Sequence, residues 1–222
     1  MTPKPKLTIV DLKKEAKDFC NKTSKENIPE LYGVTDGKAV GTFIEHRFQE
    51  YLNRKYDYVQ GNSANGIDLP SEDINTDIKV TSIKQPQSSC PFRDAKQKIY
   101  GLGYNLLVFV YDKTDHRESK GNFSILRFVS CAFVDKERTG DFQMTKSIID
   151  ALKNKANKDD LIAIFEDKNL PADEITFNEL ADNILKSPPE QGYLTISNAL
   201  QWRLQYGRIV TMTSIKGIDK LI

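Results

Sequence analysis

Apolar residues recur at three- and four-residue spacing from Lys38 to Arg54. Val40, Phe43, Ile44, Phe48, Tyr51 and Leu52 mark one face, which predicts an amphipathic helix. Residues 7 to 20 predict another, with Leu7, Ile9, Val10, Leu12, Ala16 and Phe19 on or near one side. The period then changes from helical to two. From Asp77 to Ser82, Asp77, Lys79 and Thr81 share one face and Ile78, Val80 and Ser82 the other, as in a strand. Upstream of it, YDYVQ (56–60) predicts a strand, GNSANG (61–66) a loop, Ile67 to Leu69 a short strand, and Pro70 to Asp73 a turn. Leu106 to Tyr111 is wholly apolar, which suits a strand buried on both faces. Residues 123 to 134 predict a further strand or strand pair.

Residues 92 to 104 predict a basic helix ended by glycines, and residues 143 to 157 and 176 to 186 two more helices. SPPEQG breaks the chain, residues 195 to 206 read as a helix, and Gly207 to Thr213 as a last strand. This succession predicts an α/β fold: a central mixed β-sheet flanked by helices, with additional C-terminal helices. A chain of 222 residues suits a single domain, with its core at about 38–135 and an extension at about 140–222.

Composition adds little to that picture. Hydrophobic content of 39% and charged content of 28% are those of an ordinary globular chain. No apolar run approaches membrane-spanning length, so no membrane partner is expected. The start, MTPKPKLTIVDLKKE, has no apolar block followed by a cleavage site, so a cytoplasmic location is expected. Cys20, Cys90 and Cys131 are scattered and suggest neither a disulfide framework nor a metal-ligand pair. The net charge is +1, but its distribution is uneven. Lys79, Lys84, Arg93, Lys96 and Lys98 stand against Asp94 alone between residues 79 and 98, whereas the stretch from Asp159 to Glu190 is acidic. Such a basic stretch is either a solvated surface or a face that meets phosphates.

The candidate chemistry lies where the period changes. Asp68 ends the short strand after the glycine-rich loop, and Asp77-Ile78-Lys79 stands on the next strand. A tight connection puts the two acids side by side, about 5 Å apart on an antiparallel pair. Carboxylates that close repel unless a cation lies between them. Mg²⁺ takes one or two carboxylates together with waters and a phosphate, so Asp68 and Asp77 are the expected metal ligands. Lys79 projects to the face of Asp77, where its amine can orient an attacking water and balance charge on a phosphate. Glu45, midway along the predicted helix, is a further candidate acid. The bland alternatives are a turn-capping Asp68, a solvated same-face pair and an exposed helical Glu45.

These residues resemble the PD-(D/E)XK nucleases, whose motif is an acid at a strand start followed by a second acid, any residue and lysine on the adjoining strand. Here the motif reads Asp68 then Asp77-Ile78-Lys79, with Glu45 in the place of the upstream helical acid. The resemblance covers about residues 38 to 111 and is closest to a bacterial restriction endonuclease core. Ile67 stands where the motif's proline would be, and Asp77 replaces the more frequent glutamate. Gln97 and Tyr100 resemble, more loosely, the glutamine/tyrosine element of RecB-like nucleases. The resemblance implies a Mg²⁺-dependent, sequence-specific endonuclease acting on double-stranded DNA, of the type II restriction class. A homodimer is implied because a two-fold protein matches a palindromic site. A repair or recombination nuclease of the same superfamily, or a non-catalytic DNA-binding module, are the competing readings.

Such an enzyme must read base edges, and the polar segment leaving the predicted catalytic strand is the first place to look. Lys84, Gln85, Gln87, Ser88 and Ser89 are candidates for DNA contact, the alternative being an ordinary polar loop. Arg93, Lys96 and Lys98 would suit phosphate contacts. A second candidate is the predicted C-terminal helix with Asn198, Gln201, Arg203, Gln205 and Arg208, whose Leu200, Trp202, Leu204 and Tyr206 equally suit a structural role.

Overall fold

The computed structural model describes residues 3–61, 66–90, 94–119, 121–198 and 202–222. The chain forms two compact units. The first comprises Met1–Pro86, Asn105–Val134 and Thr213–Ile222, and the second Gln87–Tyr104 and Asp135–Met212.

The first unit holds a four-stranded mixed sheet made of β1 (Thr76–Ser82), β3 (Asn105–Glu118), β4 (Gly121–Val134) and β7 (Ile218–Lys220), in the order β1-β3-β4-β7. β1 runs parallel to β3, and β4 is antiparallel to both β3 and β7. The apolar run at Leu106–Tyr111 lies in the sheet's interior, buried throughout as its composition requires, and the strand continues as a long hairpin arm with β4. Helices α1 (Ile9–Thr23) and α2 (Gly37–Asn53) cover the sheet; Thr8 and Asp36 accept hydrogen bonds from the first-turn amides of Asp11 and Lys38. Phe19, Phe48, Phe109 and Phe128 meet at ring-centroid distances of 5.0–6.0 Å and form the centre of the core.

One charged group is buried between α1 and α2. The Glu15 carboxylate accepts hydrogen bonds from Tyr51 Oη (2.7 Å), Lys55 Nζ (2.6 Å) and Tyr56 Oη (3.0 Å). Burial raises its pKa, the three donors lower it, and the donors win.

The second unit contains β2 (Gln87–Cys90), β5 (Thr195–Ile196) and β6 (Trp202–Gln205) in an antiparallel sheet of order β2-β6-β5. Helices α3 (Lys96–Tyr100), α4 (Phe142–Lys153), α5 (Lys158–Asp167), α6 (Glu174–Lys186) and α7 (Gly207–Thr211) complete it. Its core is Ile99, Met144, Ile148, Leu161, Phe165, Leu180 and Ile184 with their neighbours. Asp141 joins sheet to helices: its carboxylate accepts from the Met144 amide at the start of α4 and from the Ile196 amide of β5.

The mixed sheet with covering helices is the architecture the pattern predicted. Several local expectations are corrected. Within the predicted helix over 195–206, Thr195–Ile196 and Trp202–Gln205 are instead the strands β5 and β6, with Leu204 and Tyr206 buried and Arg203 and Gln205 exposed in a period of two, while residues 199–201, Gln201 among them, lie outside the described residues. Gly207–Thr211, expected as a strand, is the short helix α7. Residues 56–60 form no strand and make one parallel bridge, Asp57 to Lys6. Ile67–Leu69 is reduced to one antiparallel bridge, Leu69 to Thr76. The predicted polar loop is a turn up to Pro86 followed by β2. The acidic stretch beginning at Asp159 is largely helical, and α5 within it was not foreseen.

Candidate active site

The bridge between Leu69 and Thr76 sets the geometry. Each amide donates to the other's carbonyl at 3.0 Å, so the next antiparallel positions, Asp68 and Asp77, face each other. The turn between them closes through the Ile74 and Asn75 amides, which both donate to the Ser71 carbonyl; Asn75 takes a positive φ of 36°. On the other side, the Gly61 amide donates to the Asp68 carbonyl at 2.8 Å. A Cβ at Gly61 would lie 1.8 Å from the Ile67 carbonyl oxygen, so only glycine allows this approach. Asp68 is further fixed by the Ile78 amide, which donates to Oδ2 at 2.7 Å.

Asp77 is buried, and Lys79 Nζ lies 2.7 Å from its Oδ2. Asp77 Oδ2 is shielded from water and faces this ammonium. Asp68 lies close enough to Asp77, and Glu45 of α2 close enough to Asp68, for each to shift the other's ionisation. Gly41, one helical turn before Glu45, faces Val80 of β1, and a Cβ there would meet the Val80 carbonyl oxygen at 3.7 Å and its Cβ at 3.9 Å, ordinary contact distances, so α2 lies close against β1. Glu45, Asp68, Asp77 and Lys79 are therefore brought together as the spacing predicted.

Burial is the largest influence on all three acids, and it raises the pKa of each. Lys79 pulls the Asp77 carboxyl down and Asp68 pushes it up, leaving it at about 7. Three carboxylates against one ammonium leave two uncompensated negative charges when all are ionised. A buried carboxylate crowded by two others, with more negative charge than the neighbouring ammonium balances, is a fitting place for a hard divalent cation. Among the described residues, no three acidic, histidine or cysteine side chains enclose a metal on their own. Water and a phosphate would complete such a shell.

Over residues 6–220 the chain matches the family model of the type II restriction enzyme NspV. It is 58% identical over 204 residues to the type II restriction enzyme NspV of Nostoc sp. (strain ATCC 29411 / PCC 7524), covering 92% of this chain and 91% of that one. The protein belongs to the NspV family of type II restriction enzymes. No solved structure matches it.

The remaining candidates of this NspV family member fall into three groups. Lys84, Gln85, Ser89 and Lys96 are exposed, and Gln87 and Ser88 are half-buried. The turn carrying Lys84 and Gln85 is braced: the Gln85 amide donates to the Ser82 carbonyl, and Thr81 Oγ1 donates to the Gln85 carbonyl. Ser88 turns inward and pairs with Tyr206 Oη at 2.6 Å. Lys98 is buried with its ammonium on Asn198, and burial lowers its pKa against the pull of Asp141, so it is not disposed to meet a phosphate. Gln97 donates to the Leu102 carbonyl, with its other polar atom buried and unpartnered, and Tyr100 donates to the Ser187 carbonyl. Both serve packing within the second unit. Arg93 lies outside the described residues. His46 is exposed, and His116 stacks on Phe123. The residue that sequence reasoning passed over is Gly61, whose only signal was its place at the start of a glycine-rich loop.

Proposed function

We propose that this member of the NspV restriction family is a Mg²⁺-dependent endonuclease that cuts double-stranded DNA at a specific sequence, using Asp68, Asp77, Lys79 and Glu45. The observation that carries this reading is the pairing of Asp68 with Asp77 across the Leu69–Thr76 bridge, with Lys79 paired to Asp77 Oδ2. Asp68 and Asp77 would hold the metal. Bound there, Mg²⁺ supplies Lewis-acid polarisation of the phosphate and a lowered pKa for a coordinated water.

The protein's own groups do the rest. Asp77 gives up its proton and offers both oxygens on a fixed strand. Asp68 is held by the Ile78 amide, so one oxygen stays oriented while the other faces the site. Lys79 exchanges its contact with Asp77 for the scissile phosphate or the attacking water, neutralising charge that develops in the transition state. Glu45, whose pKa burial raises, holds a water or a proton beside Asp68. We further propose that the enzyme acts as a homodimer on a palindromic duplex in the cytoplasm; among the described residues no helix is long and apolar enough to cross a membrane.

The test is digestion of a long mixed-sequence duplex in Mg²⁺, in EDTA, and in Mg²⁺ with Asp77→Ala. Discrete fragments in the first lane alone are expected. A smear with the same dependence would remove sequence specificity. Equal cleavage by Asp77→Ala would remove the assigned site.

A further inference from the structure

The sheet of the second unit has two chemically different faces. On the inner face, Ile196, Leu204 and Cys90 are buried, and Ser88 is tied to Tyr206. The other face is set by the register, which pairs Gln87 with Gln205 and Ser89 with Arg203, while Thr195 pairs with Gln205 from the opposite side. Side chains alternate along a strand, so Gln87, Ser89, Arg203, Gln205 and Thr195 share the outer face. Ser89, Arg203, Gln205 and Thr195 are exposed. Among the described residues no carboxylate forms a salt bridge with Arg203, whose amide is fixed by Ser197 Oγ and whose carbonyl accepts from the Ser197 amide.

A β-ribbon or the strands of a β-sheet can read the major groove of B-form DNA, and the side chains on the β2–β6 ribbon of this three-stranded sheet are those that read it. The planar guanidinium of arginine matches the two acceptors of guanine, and the glutamine amide matches the donor and acceptor of adenine. Only Ile83 to Pro86 separate β1, which carries Asp77 and Lys79, from this ribbon.

We infer that β2 and β6 form the base-reading element of this enzyme, with Arg203 on guanine and Gln87 and Gln205 as the adenine-competent pair, and that Ser88 is not a DNA contact. This inference rests on the endonuclease reading above. The inward set (Ser88, Cys90, Leu204) holds the sheet in place, which leaves the exposed Arg203 and Gln205 to serve recognition.

The test uses the full chain as wild type, Arg203→Ala, Arg203→Lys, Gln205→Ala and Ser88→Ala. Each is assayed in Mg²⁺ on a randomised duplex library with the cut ends sequenced, and on the wild-type site with its single-base variants. Arg203→Lys keeps the charge and loses the fork, so its discrimination at one base pair should collapse on the order of 10- to 100-fold, with other positions retained. Gln205→Ala should relax a different position, and Ser88→Ala none. Thermal melting near the wild-type value would show that these exposed changes leave the fold intact. The inference is overturned if all sequences weaken by one common factor with a flatter salt dependence, the mark of a phosphate contact. It is overturned equally by unchanged profiles in Arg203→Lys and Gln205→Ala. Wild type that cuts no discrete fragments removes the endonuclease reading itself, which is a distinguishable result.

Discussion

The Ile78 amide donates to Asp68 Oδ2 at 2.7 Å, so the backbone of the strand bearing Asp77 and Lys79 also holds the acid opposite it. The donor belongs to the peptide chain and cannot be removed by side-chain substitution. Asp68→Asn keeps an acceptor for this amide and loses the charge. Its melting temperature should stay within a few degrees of wild type, while cleavage falls on the order of 10²–10⁴-fold. Gel-based cleavage rates beside thermal melting separate the two. A variant that unfolds would mean that Asp68 is chiefly structural.

Lys79→Ala removes the cation that faces Asp77 Oδ2 at 2.7 Å. Cleavage should fall on the order of 10²–10³-fold, as for a lost transition-state donor, with duplex affinity changed far less. Equal losses in affinity and in single-turnover rate would place Lys79 in binding instead.

The pH dependence of the metal-free protein follows from Asp77, whose pKa rises on folding from the ordinary carboxylate value to about 7. Between roughly pH 4 and 7 the folded state binds the extra proton, so stability from this group falls as pH rises through that window. Asp77→Asn removes the penalty and should make the metal-free protein more stable than wild type at pH 8. Metal binding must expel the proton, so Mg²⁺-induced stabilisation of wild type should grow with pH and level off near 7. Melting curves with and without Mg²⁺ from pH 5.5 to 8.5 measure both. A pH-independent Mg²⁺ effect would contradict the assignment of Asp77 as ligand.

Gly61→Ala places a methyl group 1.8 Å from the Ile67 carbonyl oxygen, a clash that only backbone movement relieves. Asp68 moves with that backbone. A destabilisation on the order of 1–3 kcal/mol is expected together with a large loss of cleavage and retained duplex binding. Full activity at normal stability would show that the loop yields without disturbing the acid.

Glu15 gives a control remote from the chemistry. Its folded pKa is depressed, so the stability it contributes is present above the unfolded value and is lost as pH falls through the folded one. Glu15→Gln should cost about 1–3 kcal/mol at pH 7 and flatten the acid limb of the stability curve, with cleavage specificity unchanged.

The grouping of Asp68, Asp77 and Lys79 was legible because it depends on short-range rules. Alternation puts Asp77 and Lys79 on one face, and a tight turn returns Asp68 opposite them. The sheet interior was legible from Leu106–Tyr111 alone. The second unit was harder to read. Positions 200, 202, 204 and 206 alternate with a period of two, which a helix would split between opposite sides, so the helix expected there was a misread period, and pairing with Gln87–Cys90 makes Trp202–Gln205 a strand. Burial of Lys98 was equally hidden, because a basic helix carries no mark of which lysine turns inward. Gly61 was visible as a glycine, but its closeness to Ile67 depends on where the loop returns.

The two faces of the β2-β6-β5 sheet are also subject to different histories of change. Inward residues are held by packing, and a substitution there costs stability before it alters anything else. The exposed outward residues at 89, 203 and 205 carry little of that burden. Mutation can therefore sample new side chains on the ribbon without first finding a compensating change in the core. In a host that protects its own genome, such drift is dangerous unless the protecting partner changes in step. With bases read from that face, as proposed above, new specificities would be easy to reach by mutation and hard for a cell to tolerate.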